Sequence, residues 1–148
     1  MRIAGIDCSS FAIDIVTVPL DEGEGDVELH SFRLEDGPRA FERTRSVPNV
    51  VPARNHSFWL NILAVGLEEP TGRFKPGSGF RVQGAVLAMI PDRMLVKPLT
   101  PSEWRAGVGL PGNCSKEAVF AWVTERLWGI PKSQDAADAY CMRLATRA

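Results

Sequence analysis

ILAVGLEEP (residues 62–70) is a continuous apolar run closed by two acids and a proline. Such a run predicts a strand buried on both faces, the habit of parallel strands in α/β proteins. TGRFKPGSG (71–79) follows as a basic, glycine-rich loop. Phe80, Gly84, Leu87 and Ile90 then recur at helical spacing, and Pro91 ends the pattern. MLVKPL (94–99) predicts the next strand, and PSEWRAGVGLPGNC (101–114) a loop with one short helical turn. Ser115 is placed to cap a helix that buries Val119, Val123 and Leu127 and ends at Gly129 and Pro131; Ser133 is placed to cap the last helix, SQDAADAYCMRLATR (133–147).

Upstream, MRIAGID (1–7), FAIDIVTVP (11–19) and VELHSFRL (27–34) read as three strands of an antiparallel meander. The five acids between Asp21 and Glu28 suit a solvated hairpin tip better than a metal site. Pro48 and Pro52 limit any helix between the meander and residue 62 to short pieces. Three meander strands followed by strand–helix alternation predict an α/β fold. Its sheet is mixed and five-stranded: an antiparallel meander of strands 1–3, then parallel strands, flanked by helices, in one domain spanning 1–148.

Two of these strands end in acids with the same local pattern. Side chains on a strand alternate faces, so Ile3, Gly5 and Asp7 share one face, as do Ala64, Gly66 and Glu68. In both, a glycine two residues before the acid keeps that face open. If the two strands are parallel neighbours, Asp7 and Glu68 emerge together at the carboxyl end of the sheet, where open α/β sheets place their sites. Glu69 points the other way and reads as a solvated neighbour. Asp135 and Asp138, three apart, share one side of the last helix and stand among Ala136, Ala137 and Ala139. Alone, that pair reads as acids favouring a helix N-terminus. With Asp7 and Glu68 it makes four carboxylates, which repel unless cations neutralise them. Hard oxygen donors select Mg2+ or Mn2+, and two such ions about 4 Å apart suit phosphodiester hydrolysis. Asp14, mid-strand, is left out of this set.

The chain has 148 residues, 45% hydrophobic and 24% charged, ordinary for a soluble globular protein. Cys8, Cys114 and Cys141 are too few and odd in number for a disulfide scaffold, and they read as reduced thiols. No apolar run approaches the roughly 20 residues that span a bilayer, and MRIAGIDCSS lacks a signal peptide's apolar stretch. These features predict a cytoplasmic protein with no membrane partner. Net charge is −1, but unevenly spread. Residues 1–70 carry 6 Lys+Arg against 12 Asp+Glu; residues 71–148 carry 11 against 6. The asymmetry fits an anionic partner, and equally a scattered surface charge cut at a convenient point. Arg73, Lys75 and Arg81 follow Glu68 and would rim the same strand ends; Arg105 and Lys116 flank the next glycine-rich loop. All suit backbone phosphates or plain solvation. His30 and His56 have no metal-like spacing and read as structural. Trp59, Trp104, Trp122 and Trp128 read as core or dimer interface. Cys8 lacks the histidine partner that a nucleophilic thiol needs.

GIDCS (5–9), VGLEEP (65–70) and DAADA (135–139), in that order and context, resemble the RuvC-type Holliday junction resolvases, a family with the ribonuclease H-like fold. MLVKPLTPSEWRAGVGLPGNCSKEAV (94–119) shares its pattern of strand, proline, glycine-rich loop and helix-opening lysine, so the resemblance runs from Met1 to about Ala145. Asp7, Glu68, Asp135 and Asp138 match the family's four metal-binding carboxylates, Lys116 a lysine that meets DNA phosphate, and Phe74 is nearest to an aromatic that helps open the junction. The resemblance implies a homodimer that nicks Holliday junctions and other branched DNA symmetrically, with two Mg2+ or Mn2+ ions per site. Cellular members commonly have proline where Cys8 stands, and EEPTGR (68–73) departs from their pattern, a divergence like that of phage-encoded members. Two other function classes stand beside this one. A junction-binding protein that had lost cleavage would not need all four acids. A nucleotide binder of the actin or sugar-kinase kind shares a strand ending in GID, but needs two domains and glycine-rich phosphate loops.

Overall fold

The computed structural model describes residues 1–9, 11–20, 26–34, 40–69, 78–127 and 133–147. β1 (Arg2–Cys8) is the central strand of a five-stranded sheet. β2 (Ala12–Pro19) pairs antiparallel with β1, and β3 (Glu28–Arg33) antiparallel with β2. On the other side, β4 (Ile62–Glu68) runs parallel to β1, and β5 (Leu95–Leu99) parallel to β4. The spatial order β3-β2-β1-β4-β5 is the expected meander with parallel strands added to its first member. The edge strand β5 is short and carries Pro98, which cannot donate to a further ladder.

Each face of the sheet has its own core. On one, Ala4, Ile6, Ile13, Ile15, Val65 and Leu67 pack under α1 (Ala40–Val50) and α2 (Ser78–Met89). On the other, Val16, Val18 and Leu99 pack under α3 (Pro101–Gly107), α4 (Lys116–Arg126) and α5 (Gln134–Arg147). Ser115 and Ser133 do cap the last two helices: their hydroxyls accept from the backbone N–H of Ala118 and Ala136, at 3.2 and 3.1 Å. The expected end of α4 at Gly129 and Pro131, and Trp128 beside them, lie outside the described residues. Among those described, no helix is long and apolar enough to cross a membrane.

Two expectations are corrected. Pro48 does not reduce its segment to short pieces, because α1 runs for 11 residues with Pro48 inside its last turn. An interior proline costs about 3 kcal/mol. Burial of Val47 and Val51 on either side, about 1.5–3 kcal/mol each, offsets that cost. Residues 101–107 form a seven-residue helix rather than a loop with one turn. Thr100 and Glu103 make a reciprocal capping box, and Pro101 opens the helix where its missing N–H costs nothing.

The two glycines before the strand-end acids also act differently from expectation. Gly5 and Gly66 are direct partners across β1 and β4. A Cβ on Gly5 would lie 1.8 Å from the Ala139 carbonyl oxygen and 2.6 Å from the Arg143 backbone nitrogen. A Cβ on Gly66 would lie 2.7 Å from the Met142 carbonyl oxygen. The paired glycines are the bed in which α5 lies, its backbone touching theirs. What they keep open is filled by the helix that carries Asp135 and Asp138.

Candidate carboxylate site at the strand ends

Gly5↔Gly66 and Ile6↔Leu67 are partners, so Asp7 and Glu68 come level at the carboxyl ends of β1 and β4, on the α5 face. Above them, Asp138 is 3% exposed and Asp135 half-buried at the start of α5. Burial pushes the Asp7 carboxyl well above the usual carboxylate range, and repulsion from Asp138, Asp135 and Glu68 adds to it, with Lys116 pulling the other way. The charges of the other three expected acids therefore all reach Asp7.

Three of them are held by neighbours. Asp7 Oδ1 accepts from the Cys8 backbone N–H at 2.9 Å. Asp138 Oδ1 accepts from Gln134 Nε2 at 2.8 Å, and its Oδ2 lies 3.9 Å from Lys116 Nζ. Glu68 Oε2 accepts from Trp104 Nε1 at 3.2 Å, while Gln83 Nε2 donates to the Glu68 backbone oxygen. An open crevice of about 150 Å3 adjoins Asp7 and Glu68, lined also by Ile6, Cys8, Leu67, Phe80 and Gln83. Burial, and then the carboxylates of Asp7, Asp14, Glu68 and Asp135, push the Cys8 thiol well up, consistent with no nucleophilic role.

Among the described residues, no three His, Cys, Asp or Glu side chains stand close enough to enclose one ion. The acids share an electrostatic neighbourhood, not a finished coordination shell. Their chemistry still fits a hard divalent cation, since the donors are carboxylate oxygens whose mutual repulsion a cation would relieve.

The basic residues divide. Lys116 opens α4 facing Asp138. Arg105 lies over the Trp104 ring at 4.9 Å and donates to the Gly112 carbonyl, and its charge reaches Asp138, whose carboxyl it lowers. Arg81 is exposed on α2, and no described contact ties it to the acids. Arg73, Phe74 and Lys75 lie outside the described residues. His56 is structural, its Nδ1 accepting from the Phe58 N–H to cap the turn Ser57–Trp59.

Two residues of this neighbourhood escape the sequence reading. Asp14 is the direct partner of Asp7 in the β1–β2 register and is 4% exposed. Its carboxylate accepts from the Ser31 hydroxyl. Burial raises it, the Ser31 hydrogen bond lowers it, and Asp135 raises it further. Ser31, Asp14, Asp7 and Glu68 thus form a polar row across β3, β2, β1 and β4. The available signal was its parity with Val16 and Val18, which face the α5 core. Trp104, expected as core or interface, is fully buried in the core and also donates to Glu68. The signal there was that a buried indole N–H needs an acceptor.

A pH dependence follows. Burial raises the Asp138 carboxyl from 3.8 to about 6. The folded protein thus keeps a proton that the unfolded chain has released, and the stability this contributes is lost as pH rises through about 6. In a chelator, the urea midpoint is expected to fall as pH rises from about 4 to about 6 and to level off above about 7, and Asp138→Asn to flatten the fall. An unchanged slope in that variant would show that Asp138 is not the source.

No protein-family model matches the sequence, and no curated protein matches it. Solved structures do. A Thermus thermophilus RuvC structure matches at 24% identity with a TM-score of 0.64, covering 98% of this chain and 92% of that one. RuvC from the same organism, in complex with a Holliday junction substrate, matches at 22% identity with a TM-score of 0.63 and the same coverage. The chain has the ribonuclease H-like fold of RuvC, with its mixed five-stranded sheet and flanking helices.

Proposed function

We propose that this protein is a divalent-metal-dependent endonuclease that nicks Holliday junctions and other branched DNA. The observation that carries the reading is the placement of Asp7 level with Glu68 at the strand ends, under the first turns of α5 that bear Asp135 and Asp138, in a fold shared with a RuvC seen on a Holliday junction. Asp7, Glu68, Asp135 and Asp138 would hold two Mg2+ or Mn2+ ions. Ions held there would supply charge neutralisation and an easier ionisation of water for phosphodiester hydrolysis. Lys116 and Arg105 bring positive charge to the same space, where a backbone phosphate would lie. Arg73, Phe74, Lys75 and Arg81 are assigned to DNA from the sequence alone. Cys8 and EEPTGR (68–73) are the grounds for a phage-type member that is less strict about junction sequence and structure, and its place in the cytoplasm rests on the three unpaired cysteines and the lack of a bilayer-length apolar run.

A second reading, junction binding with little cleavage, has one observation in its favour: no three described acids converge on a point. Digestion of a synthetic four-way junction beside a replication fork and a linear duplex separates the two. Nicks in the junction with Mg2+ and none in a chelator are expected, with slower cutting of the fork and none of the duplex. Tight junction binding without Mg2+-dependent nicks would establish the second reading instead.

Paired nicks in a two-fold junction require two sites related by a dyad, so the working unit is a homodimer. On α2, Val82 and Val86 face the core, as does Ile90 just past its end, whereas Phe80 and Leu87 are exposed. Beside them runs an apolar groove of about 440 Å3, lined by Leu67, Gly84, Leu87, Val96 and Pro98. This face is assigned to the second subunit. Light scattering at micromolar concentration is expected to give twice the 16.2 kDa chain mass, and a monomer alone would refute the assignment.

A further inference from the structure

We infer that Trp104 is a positioning residue for Glu68: its buried indole N–H, 3.2 Å from Oε2, fixes the carboxylate that β4 delivers to the site. The inference rests on the metal-dependent reading above and adds to it a residue outside the four acids. Glu68 is the last residue of β4, where the ladder gives out and a long side chain is otherwise free to swing. Its main chain is pinned from two sides. The Glu69 N–H donates to the Leu99 carbonyl at 2.7 Å, tying the strand end to β5, and Gln83 on α2 donates to the Glu68 carbonyl. Those bonds set where the side chain leaves the sheet, not where its carboxylate points. Trp104 supplies that second constraint.

The donor is itself rigid. Trp104 is fully buried among the residues under α4 and α5, so its ring cannot turn away from Glu68. The Arg105 guanidinium lies against the ring at 4.9 Å from its centroid. α3, which carries both residues, is fixed at its start by the Thr100–Glu103 capping box, with bonds of 3.2 and 2.8 Å. A donor held this firmly occupies one carboxylate oxygen. Among the described residues no hydrogen bond engages Oε1, the oxygen left for a cation. Partners of this kind set the orientation of metal ligands, and their loss weakens metal binding without touching the ligand itself.

The test uses the full-length native protein and reads metal binding directly. Indole N–H resonances of the four tryptophans are recorded by NMR during a Mg2+ titration, with the Trp104 signal assigned by its disappearance in Trp104→Phe. The Trp104 signal is expected to shift and saturate with Mg2+. That of Trp59, which donates to the Pro52 carbonyl under the opposite face, is expected to stay still. Trp104→Phe keeps a ring but removes the donor, and should weaken Mn2+ binding about 10-fold by electron paramagnetic resonance. In a Glu68→Gln background it should weaken binding no further, because the partner is already changed. A purely structural Trp104 would lower the melting temperature without this coupling. Other resonances saturating while the Trp104 signal stays still, or wild-type Mn2+ affinity in a folded Trp104→Phe protein, would overturn the inference alone. No metal-dependent change anywhere in the spectrum would overturn the metal reading and this inference together.

Discussion

Asp7→Asn is expected to cut junctions at least ~100-fold more slowly than wild type while binding them at least as tightly. Asp7 comes from the central strand, held on one side by β2 and on the other by β4, so nothing else in the site is placed more firmly. Asparagine keeps the size of the side chain and loses the charge that would hold a divalent cation. Folding should not suffer. Burial and three neighbouring carboxylates already raise the Asp7 carboxyl well above its ordinary range, so an ionised Asp7 opposes the metal-free fold above that range. A neutral side chain removes this opposition, and the chelated variant should melt no lower than wild type at neutral pH. Binding survives because Lys116 and Arg105 are untouched and one negative charge fewer faces the phosphates. Glu69→Gln is the matched control. Glu69 is exposed and adjoins the apolar groove of the α2 face, on the other side of the sheet from α5. Cleavage near wild type is expected for it. Normal cleavage by Asp7→Asn with a dead Glu69→Gln would invert the strand faces and remove Asp7 from the site.

The strands were legible because their signals are local. The run ILAVGLE and the β-branched stretch AIDIVTVP each state their own burial, and β4 and β2 fall where those runs lie. Acids at strand ends could be assigned to a face by parity alone, which put Asp7 and Glu68 on the α5 side. What parity cannot give is register between strands. Asp14 sits level with Asp7 because of the turn at Ser9, whose N–H donates to the Ala12 carbonyl at 2.9 Å while its hydroxyl accepts from the Ala12 N–H at 2.9 Å. That turn chemistry decides which β2 residue stands beside the site. Trp104 and Glu68 are 36 residues apart, and their bond exists only after α3 has packed on the sheet. α3 itself was legible in principle. Thr100 and Glu103 have capping-box spacing, but the glycines of 107–112 weighed toward a loop.

Gly5→Ala is expected to destabilise the protein by about 3 kcal/mol, lowering its melting temperature by roughly 6–12 °C, for the addition of one methyl group. Alanine has the better strand packing and the lower backbone entropy cost, so on local grounds the change should be mild or favourable. Tertiary packing reverses the sign. The new Cβ meets the Ala139 carbonyl oxygen at 1.8 Å and the Arg143 backbone nitrogen at 2.6 Å, and neither can rotate aside as a side chain would. Relief requires the middle of α5 to lift off β1. That segment is among the most buried of the chain: Ala136, Ala137, Ala139, Tyr140, Cys141 and Met142 are all inaccessible to solvent. Lifting it opens the core under α4 and unseats the Arg143 bond to the Pro19 carbonyl, 2.9 Å long and spanning 124 residues of sequence. Gly66→Ala is the milder case. Its nearest obstacle is the Thr146 hydroxyl, which can rotate, and the Met142 carbonyl oxygen at 2.7 Å needs less displacement. Urea unfolding of the two variants should therefore rank wild type above Gly66→Ala above Gly5→Ala. The same lift moves Asp138 and Asp135 away from Asp7, so folded Gly5→Ala should also lose metal affinity at temperatures below its transition. A wild-type urea midpoint for Gly5→Ala would mean that α5 does not rest on the β1 backbone. The placement of two of the four carboxylates over the strand ends would then fall with it.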